Sequence, residues 1–171
     1  MAKLAAKGCP QSTTATTGAI KWKNTANVDV SGSTGKMFKT GRTGWSGGGI
    51  STKVTKGNGE IAFRATRRQY SMIGFAKGDS HKSYQDIDCA MYMVNGVIRI
   101  YEKGRYKGRI GTYTDSTWVS VKRTGTLIQY KIGSTVKKSC GNRLSGNVLV
   151  DTSLYYANRG GIIESKWVSR S

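Results

Sequence analysis

The dipeptide Asn95-Gly96, set between two alternating apolar runs, constrains this chain more than any other feature. A type I′ turn needs positive φ at both central residues, which Asn and Gly tolerate, so the pair reads as a two-residue hairpin loop. The register then follows. Val94 faces Val97, Met93 faces Ile98, Tyr92 faces Arg99, Met91 faces Ile100 and Ala90 faces Tyr101. Farther from the turn, Asp88 faces Lys103 and Asp86 faces Arg105. One face carries Ile87, Cys89, Met91, Met93, Ile98 and Ile100, a core face; the other carries Asp86, Asp88, Tyr92, Arg99, Tyr101, Lys103 and Arg105. Each aspartate sits opposite a cation. Cross-strand pairs Asp86–Arg105 and Asp88–Lys103, worth roughly 0.2–1 kcal/mol each, account for both carboxylates without catalysis.

The rest of the chain repeats this grammar. It has 23 Gly and one Pro, and short runs rich in Val, Ile, Tyr and Thr stand between Gly or Asn turns. Strands are expected near 26–30, 36–40, 50–55, 59–66, 70–76, 86–94, 97–103, 108–113, 117–123, 126–132, 135–140, 147–155 and 160–168. No window holds a helical stripe. So many short strands imply an all-β fold, two antiparallel sheets packed as a sandwich. A second hairpin, "TWVSVKRTGTLIQYKI", is expected to turn at Thr124-Gly125, with Val121 against Ile128 and Val119 against Tyr130. At 171 residues the chain suits one domain, 20–171. Residues 1–19 are small, Thr-rich and aperiodic, the composition of an extended arm able to reach a neighbouring subunit.

Charge narrows the partners. The formal net charge is +19, from 28 Lys and Arg against 9 Asp and Glu, and implies a polyanionic neighbour. The excess is spread nearly evenly over the thirds of the chain, with no basic tail and no recognisable nucleic-acid motif. Sequence-specific readout is therefore not expected, whereas non-specific electrostatic adhesion stays open. Three cysteines, Cys9, Cys89 and Cys140, form an odd set without metal-ligand spacing, so no disulfide framework is expected. Cys89 reads as a small apolar filler and Cys9 as the reactive thiol of the set. No run resembles a signal peptide or reaches eighteen apolar residues, so the chain is expected inside the cell or in a particle assembled there, with no transmembrane segment.

The order of pieces "TGWSGGGIST", "GEIAFRA", "YSMIGFAKGD", "YQDIDCAMYMVNGVIRIYEKGRYKG", "IGTYTDSTWVSVKRTGTLIQYKIG", "NVLVDTSLYY" and "GGIIESKW" resembles the concanavalin A-like lectin/glucanase superfamily over about residues 45–167. The resemblance implies a jelly-roll sandwich and, often, carbohydrate binding. Glucanases of that superfamily carry a Glu-x-Asp-x-x-Glu strand. Here "DIDCAMY" supplies Asp86 and Asp88, but Ala90, Met91 and Tyr92 stand where the last acid should be, so no catalytic set is expected. A remote acid such as Asp115 or Asp151 would have to substitute. Related lectins use Asp/Asn loop clusters around a cation. The loops "KGDSHKSYQD" and "YTDST" show single acids beside Lys, so no metal or other cofactor is expected. His81 is the only histidine and forms no zinc set, and "GSTGKM" lacks the spacing of a phosphate-binding loop.

Three readings follow. The first is a non-enzymatic structural subunit that associates with itself or other proteins, as in a virion shell, and contacts acidic partners. The second is a lectin-like module that binds sugar through Tyr92, Arg99 and Tyr101, where ring faces stack and the guanidinium fixes an acidic group. The third is a non-specific nucleic-acid binder.

Overall fold

The computed structural model describes residues 18–168. Fifteen strands run in chain order: β1 (Gly18–Ala19), β2 (Trp22–Ala26), β3 (Val28–Val30), β4 (Met37–Lys39), β5 (Gly48–Ser51), β6 (Gly59–Ala65), β7 (Ser71–Ala76), β8 (Cys89–Val94), β9 (Val97–Glu102), β10 (Arg105–Thr112), β11 (Val119–Thr124), β12 (Leu127–Ile132), β13 (Thr135–Ser139), β14 (Leu149–Leu154) and β15 (Gly161–Trp167). They form two antiparallel sheets. The eight-stranded sheet has the order β13-β12-β11-β6-β15-β4-β3, with β1 also on β15. The seven-stranded sheet has the order β10-β9-β8-β7-β14-β5-β2. The only helical piece among the described residues is a 3₁₀ turn, Tyr84–Asp86.

Alternation builds the core between the sheets. Ile73 and Phe75 of β7, Met91 and Met93 of β8, Ile98 and Ile100 of β9 and Val150 and Leu154 of β14 point inward. They meet Ile61, Phe63, Val119, Val121, Ile128 and Tyr130 of the other sheet. Burying such side chains contributes about 1.5–3 kcal/mol each, the main force closing the sandwich.

The Asn95-Gly96 hairpin forms with the expected register from Ala90↔Tyr101 to Val94↔Val97, with φ of 49° and 81° at the two turn residues. The second hairpin differs. Val121 pairs with Tyr130 and Thr124 with Leu127, so the loop is Gly125-Thr126, two residues away from the register expected around Thr124-Gly125. A slip of two keeps every side chain on its face, which is why alternation alone did not resolve it.

The cysteine expectation is corrected. Cys89 and Cys140 form a disulfide with Cα atoms 5.9 Å apart, so Cys89 is not merely an apolar filler. Cys89 opens β8 of one sheet and Cys140 follows β13 of the other, so the bond joins the two sheets near one lateral edge. Of the expected arm, Gly18 and Ala19 pair with Trp167 and Lys166 as β1; the remainder, including Cys9, lies outside the described residues. No described helix is long and apolar enough to cross a membrane.

Candidate functional site

In an antiparallel sheet, directly opposed residues share a face. Tracing the register across the seven-stranded sheet therefore lays out its outer surface. One rung runs Tyr106, Tyr101, Ala90, Gly74, Asp151, Ile50. The next runs Arg109, Arg99, Tyr92, Met72, Ser153. Residues 77–88 fold back over the small residues at the centre of the first rung. Ile87 is fully buried against Met72 and Ala90, with Trp45, Tyr84, Tyr92 and Tyr101 packed around them. At Gly74 an added Cβ would lie 1.8 Å from the Cys89 carbonyl oxygen, so this rung admits no side chain there.

The rings form one connected sheet of contacts. Trp45 lies 5.0 Å from Tyr84, 5.8 Å from Tyr92 and 5.2 Å from Tyr155, centroid to centroid. Tyr101 lies 5.4 Å from Tyr92, 5.8 Å from Tyr84 and 5.6 Å from Tyr106. Tyr70, Tyr155 and Tyr156 extend the array, and Arg159 stacks on Tyr156 at 4.3 Å. Most of these contacts are edge-to-face, the geometry the aromatic quadrupole favours. Tyr92 at the centre is half-buried, and desolvation holds its hydroxyl protonated well above the usual range.

Beneath the returning segment lies a carboxylate cluster. Asp79, Asp86 and Asp151 each offer an oxygen, and these lie within 4.8 Å of one another. Each acid has one oxygen engaged. Asp79 Oδ2 meets Lys82 Nζ at 3.3 Å, Asp86 Oδ2 accepts from the Ser80 and His81 amides at 2.7 and 3.2 Å, and Asp151 Oδ1 accepts from the Thr152 amide at 2.7 Å. The other oxygens, Oδ1 of Asp79, Oδ1 of Asp86 and Oδ2 of Asp151, are shielded from solvent and accept from no N–H or hydroxyl donor, while a side-chain hydrogen bond to Asp86 takes up the Asp151 proton. Asp151 is only 2% exposed. Burial first, then the Asp86 and Asp79 charges, push its carboxyl up to about 9. At neutral pH Asp151 keeps its proton unless a cation replaces it. An oxygen-only set of three carboxylates fits a hard divalent cation such as Ca2+.

The structure thus separates residues that sequence reading had joined. Asp88 accepts the Lys77 amide at 2.8 Å and lies 3.6 Å from Lys103 Nζ. Asp86 does not face Arg105: it ends the 3₁₀ turn, its carboxylate closes the segment onto Ser80 and His81, and Arg105 opposes Glu102. The expectation that no acids gather around a cation position is corrected by the same fold, because Asp151 arrives from β14, remote in sequence. Asp115, the other remote acid, instead accepts the Arg67 amide at 2.7 Å. Tyr92, Arg99 and Tyr101 do share the ring-covered face; Trp45, Tyr70, Tyr84, Tyr155 and Tyr156 were not anticipated there.

No family model and no curated protein matches the chain. Solved structures match its fold. The SPRY domain of human HERC1 superposes with a TM-score of 0.63 at 12% identity, covering 89% of this chain and 98% of that one. The carbohydrate recognition domain of Emp46p in a metal-free form gives 0.56 at 12% identity, covering 87% and 86%. The exoplasmic/lumenal domain of VIP36 in a Ca2+/Man2-bound form gives 0.55 at 9% identity, covering 87% and 81%. The likeness is one of fold, a two-sheet antiparallel jelly-roll sandwich.

Proposed function

We propose that the chain is a non-catalytic carbohydrate-binding module whose sugar site is the aromatic outer face of the seven-stranded sheet. The single observation that carries this reading is the contiguous ring array centred on Tyr92 and Tyr101, with Arg99 directly opposite Tyr92. Partly exposed rings give sugar CH faces an apolar platform, and a neighbouring guanidinium fixes orientation. The fold likeness to a carbohydrate recognition domain and to a Man2-bound lumenal domain supports the same reading.

Asp79, Asp86 and Asp151 would hold a hard divalent cation, whose charge would neutralise the cluster in place of the Asp151 proton. The chain's own part is structural. Lys82 O accepts the Ser153 hydroxyl at 2.7 Å, and Asp86 ties down the 80–81 amides, so residues 77–88 hold Tyr84 against Trp45 and Tyr101. Asp151 itself, at 2% exposed, lies out of reach of a glycosidic oxygen. The assembly-subunit reading rests on net charge and on an arm outside the described residues, so the glycan reading is preferred.

The test is a glycan array followed by calorimetry. Tyr92→Ala, Tyr101→Ala and Arg99→Ala should each weaken binding at least tenfold while far-ultraviolet circular dichroism stays that of the parent. Binding that is absent from the parent, or indifferent to all three substitutions, would contradict the proposal.

A further inference from the structure

Building on the sugar-binding reading, we infer that the ligand is a polyanionic glycan, carboxylated or sulfated, that runs from the aromatic face onto the basic lateral edge formed by β10 and β13. Seven exposed cations lie at this edge. Lys103, Arg105, Lys107 and Arg109 follow the β9–β10 turn and β10, Lys137 and Lys138 lie on β13, and Arg143 follows it; all are exposed. Both strands are sheet edges on the same side, since Gly111 of β10 lies against the Ile132 side chain of β12.

Neutralisation is missing here. Lys103 meets Asp88, but among the described residues no ion pair involves Arg99, Arg105, Lys107 or Arg109. Arg99 and Arg109 are moreover Cα partners in a stretch of β10 that is irregular on both sides of Arg109, which brings two cations to one rung. At the same edge a groove of about 370 Å³ is lined by Glu102, Lys103, Arg105, Lys107, Gly141 and Asn142. The acid in it is spoken for. Glu102 is buried, with one oxygen accepting the Tyr130 hydroxyl at 3.0 Å and the other the Gly141 amide at 3.2 Å.

The rings favour a sugar chain over single-stranded nucleic acid. Successive bases need ring faces spaced along a track, whereas Trp45, Tyr84, Tyr92 and Tyr101 pack edge-to-face into one patch. Tyr106, 54% exposed, is the single open ring, and it sits where the aromatic face meets the basic edge. Forked guanidinium donors match carboxylate and sulfate oxygens there.

The experiment titrates the full chain with oligogalacturonate, a sulfated oligosaccharide, a neutral mannose oligosaccharide and oligo-dT at two salt concentrations. The anionic sugars should bind at least tenfold more tightly than the neutral one at low salt and lose that margin at high salt. The triple variant Arg105→Ser/Lys107→Ser/Arg109→Ser should lose at least tenfold for the anionic sugars. Lys23→Ser/Arg42→Ser/Lys56→Ser, which removes equal charge elsewhere, should lose less than twofold. Equal losses in both variants would overturn the edge assignment. Tight binding of the neutral sugar, with neither variant affected, would overturn the anionic class and leave the sugar-binding reading standing. Binding of oligo-dT with no sugar of either class would overturn both.

Discussion

On the outer face of the eight-stranded sheet, Lys131 meets Glu60 at 2.9 Å, Arg64 meets Glu164 at 2.9 Å, and Trp118 carries Lys166 at 4.5 Å over its ring. On the outer face of the seven-stranded sheet, Arg99 and Arg109 share an irregular rung, the rings around Tyr92 touch mainly one another, and three carboxylates lie together nearby. Both faces come from the same in-out alternation. The first pairs Lys131 and Arg64 with its own acids, whereas the second keeps Arg99 and Arg109, without an ion pair among the described residues, beside its ring surface.

A covalent tie holds the two faces together, and breaking it should have the largest effect. The Cys89–Cys140 bond closes a loop across a separation of 51 residues, which on chain-entropy grounds contributes about 4 kcal/mol. Cys140→Ala should therefore lower the denaturation midpoint by an amount that reductant reproduces in the parent. A midpoint indifferent to reductant would show that packing alone joins the sheets. Next in size is Tyr92→Ala, expected to cost about 2–3 kcal/mol, because removing a half-buried ring takes one ring contact from each of Trp45, Tyr70 and Tyr101. A cost near zero would mean the ring array is a loose surface, and the contrast between the faces would weaken.

Asp151 gives the faces different responses to pH. Its carboxyl titrates near 9 when folded, against about 3.9 in an unfolded chain. A raised folded value means the native state holds the extra proton, so this contribution is complete below about pH 4 and is lost as pH rises toward 9. The slope approaches one proton, about 1.4 kcal/mol per pH unit. Urea unfolding between pH 6 and 9 should show stability falling in the parent, falling less with Ca2+ present, and nearly flat in Asp151→Asn. A parent slope equal to that of Asp151→Asn would remove the carboxylate cluster from the account. The smallest effect belongs to the other face. The half-exposed Arg64–Glu164 pair should show a double-mutant coupling of about 0.2–1 kcal/mol that shrinks in salt, and a coupling of zero would narrow the contrast.

Much of the fold was legible because its signals are local. The Asn95-Gly96 turn set one hairpin to the residue, and period-two alternation placed Tyr92, Arg99 and Tyr101 on one face. The rest depended on long-range closure. Trp45, Tyr84 and Tyr155 reach the face from three separate segments, and no spacing within any one of them announces the others. Asp79 and Asp86 looked like isolated acids among lysines until β14 brought Asp151 beside them. A trace of this was present in "NVLVDTSLYY", where a lone carboxylate interrupts an apolar strand and so must be buried with a partner, a proton or a cation. Cys89 and Cys140 gave no spacing signal, because their pairing follows from the packing of β8 against the end of β13 rather than from any sequence motif.

The central claim is that sugar binds the aromatic face and not the ion-paired one. Amide chemical-shift mapping of the labelled chain, titrated with the best oligosaccharide from the array, tests it directly. The account predicts that the largest shifts fall at Tyr92, Arg99, Tyr101 and Tyr106, with Lys122, Gln129 and Lys166 of the opposite face unmoved. Shifts centred on Lys122, Gln129 and Lys166, with Tyr92 and Tyr101 silent, would contradict it.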